Sequence, residues 1–474
     1  MNKKILIKNA AAIVTCDSND TVHYNCDMLI DGPSIVSIGT NLVLEEEISS
    51  NTYEIIDATG KFIYPGLINT HHHFFQTFVR NLMSIDFPNM SVVEWLDKIY
   101  PIFSQINSDV IYYSSMTAMA DLLKHGCTCA FDHQYCFTTW TNKDPVDRQM
   151  EAASQLGIRY HAGRGVNTLP RSEGSTIPNE MLETTEEFLQ DCQRLIDTYH
   201  DSNPFSMKQI VIAPCQPINS YEETFIQSVR LARENKVSLH THLGEGENDI
   251  MISRYGMRTL EWCEKIGFVG PDVWIAHGWE LTPEEYKVMG QTKTGISHCP
   301  APAVLGGFPI LDMRAMEKEG VLLSLGCDGS ATNDSSNLLD SIRMAYILQT
   351  YYSKQRGCNC FSPYEILKLA TINGAKTLGR TDLGSLEVNK AADLFMIDMN
   401  KIQFTGTYHD PKNLIARGGV TGEVNLTMVN GKVVFKDGIL LGIDEQKLLC
   451  EGERLCSDVL RKRFPNIFPT NPLV

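Results

Sequence analysis

Between residues 64 and 329 the chain alternates short apolar runs with longer stretches whose apolar positions recur every three to four residues. The short runs fall at 64–73, 127–133, 157–163, 209–216, 237–243, 273–278, 295–300 and 321–329, mostly flanked by Gly, Pro, Asn or Asp, and read as buried strands. The longer stretches at 108–125, 220–235, 256–266 and 283–291 read as amphipathic helices. Strands that alternate with helices predict parallel β/α units, because a crossover helix is needed to bring the next strand in parallel. Eight such strands predict an α/β protein built on a closed (β/α)8 barrel. An open doubly wound sheet is the alternative, but the chain carries no GxGxxG or Walker phosphate turn.

The two ends have a different texture. Short β-type runs at 5–7, 27–31 and 35–38 are separated by Asn, Asp and Gly turns. Similar runs recur at 392–397 and 424–435, the latter broken by Asn430-Gly431, a strong hairpin signal. The expected organisation is therefore a TIM barrel over 64–384 and one small β domain assembled from 1–63 and 385–474.

At 474 residues the chain can bury a large core, and 43% hydrophobic with 21% charged residues is ordinary for a globular protein. A net charge of −16 argues against nucleic acid, which demands a basic footprint. No apolar run reaches membrane-spanning length. Residues 1–9 begin like a secretory leader, but Lys8 and Asn9 interrupt the apolar stretch and no cleavage site follows; the expectation is a first strand in a cytoplasmic protein. Of the 14 cysteines, many (Cys127, Cys215, Cys299, Cys327) lie in apolar runs and read as buried reduced thiols. The pairs Cys127-Thr128-Cys129 and Cys358-Asn359-Cys360 have no second pair at zinc-site spacing.

In a (β/α)8 barrel the functional side chains gather at the C-terminal ends of the strands. Those ends are unusually rich in metal-type residues here. The first run ends in His71-His72-His73, where strand alternation turns His71 and His73 to one face and His72 to the other. The fifth ends in His240-Thr241-His242 with Glu245 just beyond, the sixth in His277, and the eighth in Asp328-Gly329; the second and seventh add His133 and His298. Any one of these taken alone is readily a packed histidine or a turn aspartate. Together, in this order, they point to metal-assisted hydrolysis.

With these residues the chain resembles the amidohydrolase superfamily, in its branch of cytosine, guanine, S-adenosylhomocysteine and triazine aminohydrolases. The resemblance rests on residues 65–73, His240-Thr241-His242-Leu243-Gly244-Glu245, Ala276-His277-Gly278, Ser297-His298-Cys299-Pro300 and Asp328-Gly329-Ser330. The tail segments 370–375 and 384–393 extend it over nearly the whole chain. It implies a (β/α)8 barrel with a β-sandwich from both termini. It also implies one divalent metal ion, zinc or alternatively ferrous iron, held by His71, His73, His242 and Asp328. It makes His277 the residue that orients the attacking water and Glu245 the proton shuttle, with Asp328 able to accept a proton. A bound zinc ion lowers the pKa of water to near ~7. The fourth strand run, 209–216, contains no lysine of the kind that bridges two metals in binuclear relatives, which favours a single ion and deamination.

The implied reaction is hydrolytic release of ammonia from an amino-substituted N-heterocycle, an oxidised purine or pterin such as 8-oxoguanine or isoxanthopterin. A triazine-type amino- or chlorohydrolase, or another C–N hydrolase of the same fold, is the alternative. Gln76 is expected to contact the heterocycle edge, since its amide reads both a donor and an acceptor. Arg164 either holds a ring carbonyl or is structural, Trp95 packs over a planar ring or in the core, and His133 lines the pocket or braces its strand. The stretch 86–95 is expected to cover the pocket. Many relatives carry Ser-Asn after the Ser-His-Cys-Pro run, whereas this chain has Ala301-Pro302-Ala303, so a polar pocket contact is missing or replaced. The family also implies a homodimer.

Overall fold

The computed structural model describes residues 3–43, 52–82 and 84–467. Two sheets organise them. The first is mixed and has nine strands, built from both ends of the chain: β1 (Lys4–Val14), β2 (Val22–Asp31), β3 (Ser34–Gly39), β4 (Tyr53–Asp57) and β5 (Lys61–Pro65) come from the start. The second is parallel and eight-stranded: β6 (Leu67–Asn69), β7 (Cys127–Gln134), β8 (Arg159–Arg164), β9 (Lys208–Ile212), β10 (Ser238–Leu243), β11 (Val273–His277), β12 (Gly295–His298) and β13 (Leu323–Leu325). The remaining strands, β14 (Leu394–Asp398), β15 (Leu426–Val429), β16 (Lys432–Lys436) and β17 (Ile439–Leu440), return to the first sheet. Residues 1–2, 44–51 and 468–474 of the expected sandwich segments lie outside the described residues.

The parallel row runs in sequence order from β6 to β13. Its two ends meet through Thr70 N–H donating to the Leu325 carbonyl (3.1 Å) and Asp328 N–H to the His71 carbonyl (3.0 Å). This closure brings the first and last strand ends together. The helices expected at 108–125, 220–235, 256–266 and 283–291 form as Ser108–Lys124, Glu222–Asn235, Thr259–Ile266 and Pro283–Thr292. Thr282 caps the last of these in a capping box with Glu285, satisfying backbone N–H groups that have no partner within the helix.

The first expected strand divides in two. Pro65-Gly66 separates β5, which pairs antiparallel with β14, from β6 in the barrel. A Cβ at Gly66 would collide with the Thr128 side chain, so the crossing from one sheet to the other needs glycine. His71 to His73 therefore follow the strand rather than belonging to it. At the other end, Asn430 and Gly431 both take positive φ (53° and 72°), the geometry of a two-residue hairpin turn between β15 and β16.

Barrel and mixed sheet are fastened by a buried ion pair. Arg159 on β8 grips Asp393 in two places, Nε to Oδ2 at 2.6 Å and one terminal nitrogen to Oδ1 at 3.0 Å. Asp393 also accepts the Asn430 N–H (2.7 Å), so this residue of the tail segment ties the hairpin to the barrel. Removing either partner would leave a buried charge unpaired, at a cost of about 3–5 kcal/mol. Cys127, Cys215, Cys299 and Cys327 are buried free thiols, and no helix among the described residues is long and apolar enough to cross a membrane.

Candidate metal centre and catalytic cleft

The barrel's C-terminal strand ends bring His71, His73, His242, His277 and Asp328 together, all buried. Hydrogen bonds to the outer ring nitrogens decide what the inner ones can do. His73 Nδ1 lies 2.9 Å from the His133 carbonyl and His242 Nδ1 lies 2.7 Å from the Cys215 carbonyl. A carbonyl only accepts, so both Nδ1 atoms carry the proton and both Nε2 atoms present lone pairs. His71 reaches the same state through a relay. His240 Nδ1 donates to the Trp274 carbonyl (2.9 Å), which makes His240 Nε2 an acceptor for His71 Nδ1 (3.0 Å).

The three Nε2 atoms then converge on a carboxylate. His242 Nε2 lies 3.1 Å from His73 Nε2, and Asp328 Oδ1 lies 3.3 Å from His71 Nε2 and 3.2 Å from His73 Nε2. Four acceptor atoms facing one another repel unless a cation sits among them. Burial pushes the His71 pKa down to about 4, that of His277 to about 3, and that of His242 well below the ordinary value, so these rings are neutral at physiological pH. Neutral imidazoles with one carboxylate are a donor set for a divalent metal, and both His71/His73/Asp328 and His71/His242/His277 are close enough to share one. Thr332 Oγ1 donates to Asp328 Oδ2 (3.0 Å), which leaves Oδ1 turned to the histidines.

Two of these residues sit in strained backbone. His277 and Asp328 have φ of 76° and 64°, a left-handed conformation that side chains disfavour. Such strain persists where the surrounding structure enforces it, and it concentrates at functional positions. Neither ring nitrogen of His277 has a hydrogen-bond partner although both are buried, which leaves the ring free to meet something the protein does not supply.

A cleft opens beside this cluster, lined by His73, His242 and Asp328 together with Glu245, Gln76 and Trp95. Glu245 lies 3.7 Å from His277 Nε2, with 18% of its side chain exposed. Burial first, and then the nearby Asp328 and Glu247 charges, raise its pKa well above the usual carboxylate range. A protonated carboxyl at that place is a proton donor. Its position is held by Glu247, whose carboxylate accepts the backbone N–H groups of Gly244 and Glu245, each at 2.7 Å.

The residues expected at the substrate separate into two groups. Gln76 lines the cleft; its Oε1 accepts the Ala331 N–H (3.2 Å), and a Cβ at Gly329 would collide with its amide, so glycine is needed there. Trp95 lines the cleft from the helix Val92–Phe103 and packs edge-on against Phe87. Arg164 does not reach the cleft. Its guanidinium is 1% exposed, pairs with Glu183 (2.7 Å) and Asp191 (2.8 Å), and stacks on Phe137, so every charge-bearing group is already committed. The substrate role expected for Arg164 is corrected to a structural one. His133 is corrected likewise: it is not among the cleft-lining residues, its Nε2 donates to the Ala213 carbonyl (2.7 Å), and its ring stacks on His242.

Sequence reasoning assigned no role to His240, Glu247, Tyr135, Gln216 or Thr332. Tyr135 and Gln216 line the cleft, and signals for them existed: Tyr135 follows His133 by two positions, and Gln216 ends the fourth strand run. The fourth strand run holds no lysine; its end contributes the carbonyls of Ala213 and Cys215 as hydrogen-bond acceptors, with Cys215 and Gln216 at the cleft.

The chain matches the amidohydrolase family over residues 62–434. It is 48% identical to a hydroxydechloroatrazine ethylaminohydrolase of Pseudomonas sp. (strain ADP), with 92% of each chain covered. It is 32% identical to an 8-oxoguanine deaminase of Pseudomonas aeruginosa, covering 96% of this chain and 98% of that one. Among solved structures, an atrazine chlorohydrolase from Arthrobacter aurescens TC1 complexed with zinc superimposes with a TM-score of 0.90 at 30% identity, covering 95% of this chain and 100% of the other. The matched span takes in every strand end that contributes to the cluster, and the chain belongs to the amidohydrolase family.

Proposed function

We propose that this protein is a mononuclear metal-dependent aminohydrolase that releases an amine from an oxygen-bearing N-heterocycle. The observation that carries the reading is the convergence of three Nε2 lone pairs and Asp328 Oδ1 next to a cleft holding Glu245. His71, His73, His242 and Asp328 would hold the ion. Zinc is the proposed metal, supported by the zinc-bound relative, with ferrous iron as the alternative the same donors accept. A divalent ion there supplies Lewis acidity that makes water a nucleophile at neutral pH.

The protein's own groups do the rest. His277, with both ring nitrogens free, orients the attacking water. Asp328, held by Thr332, takes its proton. Glu245 protonates a ring nitrogen as the carbon becomes tetrahedral; the proton taken by Asp328 then passes to the departing amine, and the hydroxyl proton returns to Glu245 as the ring carbonyl forms. Gln76 keeps an amide N–H for the heterocycle edge, since only its oxygen is firmly engaged. Trp95 closes over the ring plane.

Two ring classes follow from the relatives: a hydroxylated triazine, favoured by the 48% identical ethylaminohydrolase, and an oxidised purine or pterin, supported by the 32% identical 8-oxoguanine deaminase and an isoxanthopterin deaminase at 28%. The domain division into 1–63 with 385–474 and 64–384, a homodimeric state and a cytoplasmic setting belong to the same proposal. Amine release by zinc-loaded protein should be measured across hydroxylated triazines, 8-oxoguanine, guanine and isoxanthopterin, with Glu245→Gln as control. Turnover that drops at least ~100-fold in the variant, while one metal per chain is retained, supports the reading. Equal turnover in variant and wild type would refute it.

A further inference from the structure

The catalytic cleft holds donor hydrogens that the protein itself does not use. Arg164, the cation expected at a ring carbonyl, is committed to Glu183 and Asp191, and no lysine or arginine is among the residues that line the cleft. Two tyrosines do line it. Tyr100, on the helix Val92–Phe103, is 2% exposed, and Tyr135, directly after β7, is 4% exposed. A phenol is protonated at neutral pH, so each carries one hydrogen to give.

The Tyr135 hydrogen is placed by a relay. The Ala331 N–H donates to Gln76 Oε1 (3.2 Å), which turns the Gln76 amide nitrogen the other way, 3.4 Å from the Tyr135 hydroxyl. An amide N–H only donates, so the Tyr135 oxygen accepts there and its own hydrogen points elsewhere. Among the described residues no acceptor meets that hydrogen, and the Tyr100 hydroxyl has no partner either. The Tyr135 ring is wedged edge-on against His73 (centroids 5.0 Å apart) and Phe75 (5.2 Å), so it cannot swing away to find one. Glycine at 165 makes room for it, since a Cβ there would lie 2.7 Å from Tyr135 Cβ. Buried polar groups without partners are rare, and two in one cleft mark the place for acceptors that a ligand brings.

Their position says which part of the ligand this is. Glu245 follows β10 and Tyr135 follows β7, three strands away in the parallel row. Glu245 serves the reacting carbon and the ring nitrogen beside it, so Tyr135 meets a different part of the ring. We propose that the hydroxyls of Tyr135 and Tyr100 set the substrate specificity of this cleft by donating to acceptor atoms away from the reacting carbon, so that a heterocycle with an oxo group at a non-reacting ring carbon is selected over the same ring with hydrogen there. The inference rests on the aminohydrolase reading above. It replaces the expected arginine with neutral donors whose direction, rather than charge, does the selecting. A site built to hydrogen-bond a substrate group rejects the analogue lacking that group far more strongly than an apolar pocket does, because its buried donors are then left unpaired.

The test uses the full-length, zinc-loaded enzyme and two pairs of compounds that differ by one oxo group in place of hydrogen. One pair is an amino-1,3,5-triazine with and without an oxo group at a non-reacting carbon, and the other is 8-oxoguanine and guanine. The expected result is a kcat/KM at least ~100-fold higher for the oxo member of a pair. That ratio should fall at least ~10-fold in Tyr135→Phe and in Tyr100→Phe, which remove a hydroxyl and keep the ring. Comparing the ratio between variant and wild type cancels the intrinsic reactivity of the two compounds, and a ratio is insensitive to the fraction of a variant that folds. Equal kcat/KM within each pair, or a ratio unmoved in either variant, would overturn the proposal. If no compound is turned over, the aminohydrolase reading fails by itself. Wherever a member of a pair is not turned over, calorimetric Kd values for the wild type and both variants replace kcat/KM in the ratio: tighter binding of the oxo member, lost in the variants, supports the proposal, and equal or undetectable binding overturns it.

Discussion

Replacing His240 with phenylalanine should weaken metal binding without opening a hole. The ring is fully buried and packs on Phe131 (centroids 4.6 Å apart) and Trp274 (4.9 Å), contacts that phenylalanine keeps. What disappears is the acceptor for His71 Nδ1 at 3.0 Å and the donor to the Trp274 carbonyl at 2.9 Å. A buried N–H left without an acceptor costs about 1–3 kcal/mol. His71 can escape that cost only by moving its proton to Nε2, where it would occupy the lone pair needed by the ion. Partners that orient a metal-binding imidazole are typically worth 10- to 100-fold in affinity, about 1.4–2.7 kcal/mol. The assay is a competitive titration of metal-free protein against a chromophoric chelator at neutral pH, with the fold checked by circular dichroism. His240→Gln should recover part of the loss, because its amide oxygen can accept from His71. A folded His240→Phe protein binding zinc within twofold of wild type would refute the relay.

Glu247→Ala removes the acceptor for two loop N–H groups and should lower kcat by about tenfold or more through Glu245 misplacement, with metal content unchanged in an elemental assay. Arg164→Met leaves Glu183 and Asp191 without their buried cation and should cost about 3–5 kcal/mol in denaturant unfolding. Its kcat/KM per folded molecule should match wild type; a selective rise in KM would restore Arg164 to the substrate site. Asp382 tests acid stability. Burial works to raise its pKa, but the Arg380 guanidinium and the Phe205 N–H hold it at about 2, below its ordinary 3.8. Its stabilisation, about 2 kcal/mol, is complete above that ordinary value and is lost as pH falls through about 2. Asp382→Asn should therefore lower stability at neutral pH and lose its difference from wild type at the acid end of a pH-dependent denaturation series.

The features legible in the sequence are those that local chemistry encodes. Apolar runs with intervening helical periodicity announced the eight barrel strands, because each strand must bury both faces whatever its neighbours are. Asn430-Gly431 announced its hairpin because few residue pairs tolerate two positive φ angles. His71, His73, His242, Glu245, His277 and Asp328 were visible because a parallel barrel carries its strand ends to one rim, so strand order alone predicts that they meet. The rest depends on pairs of residues far apart in the chain. Nothing near Arg164 reveals that Glu183 and Asp191 will neutralise it, or near His240 that its ring will set the tautomer of His71, 169 positions away. A side chain's residue type sets what it can bond to, but only the closed barrel decides which partner arrives first and which groups are left free for a metal or a substrate.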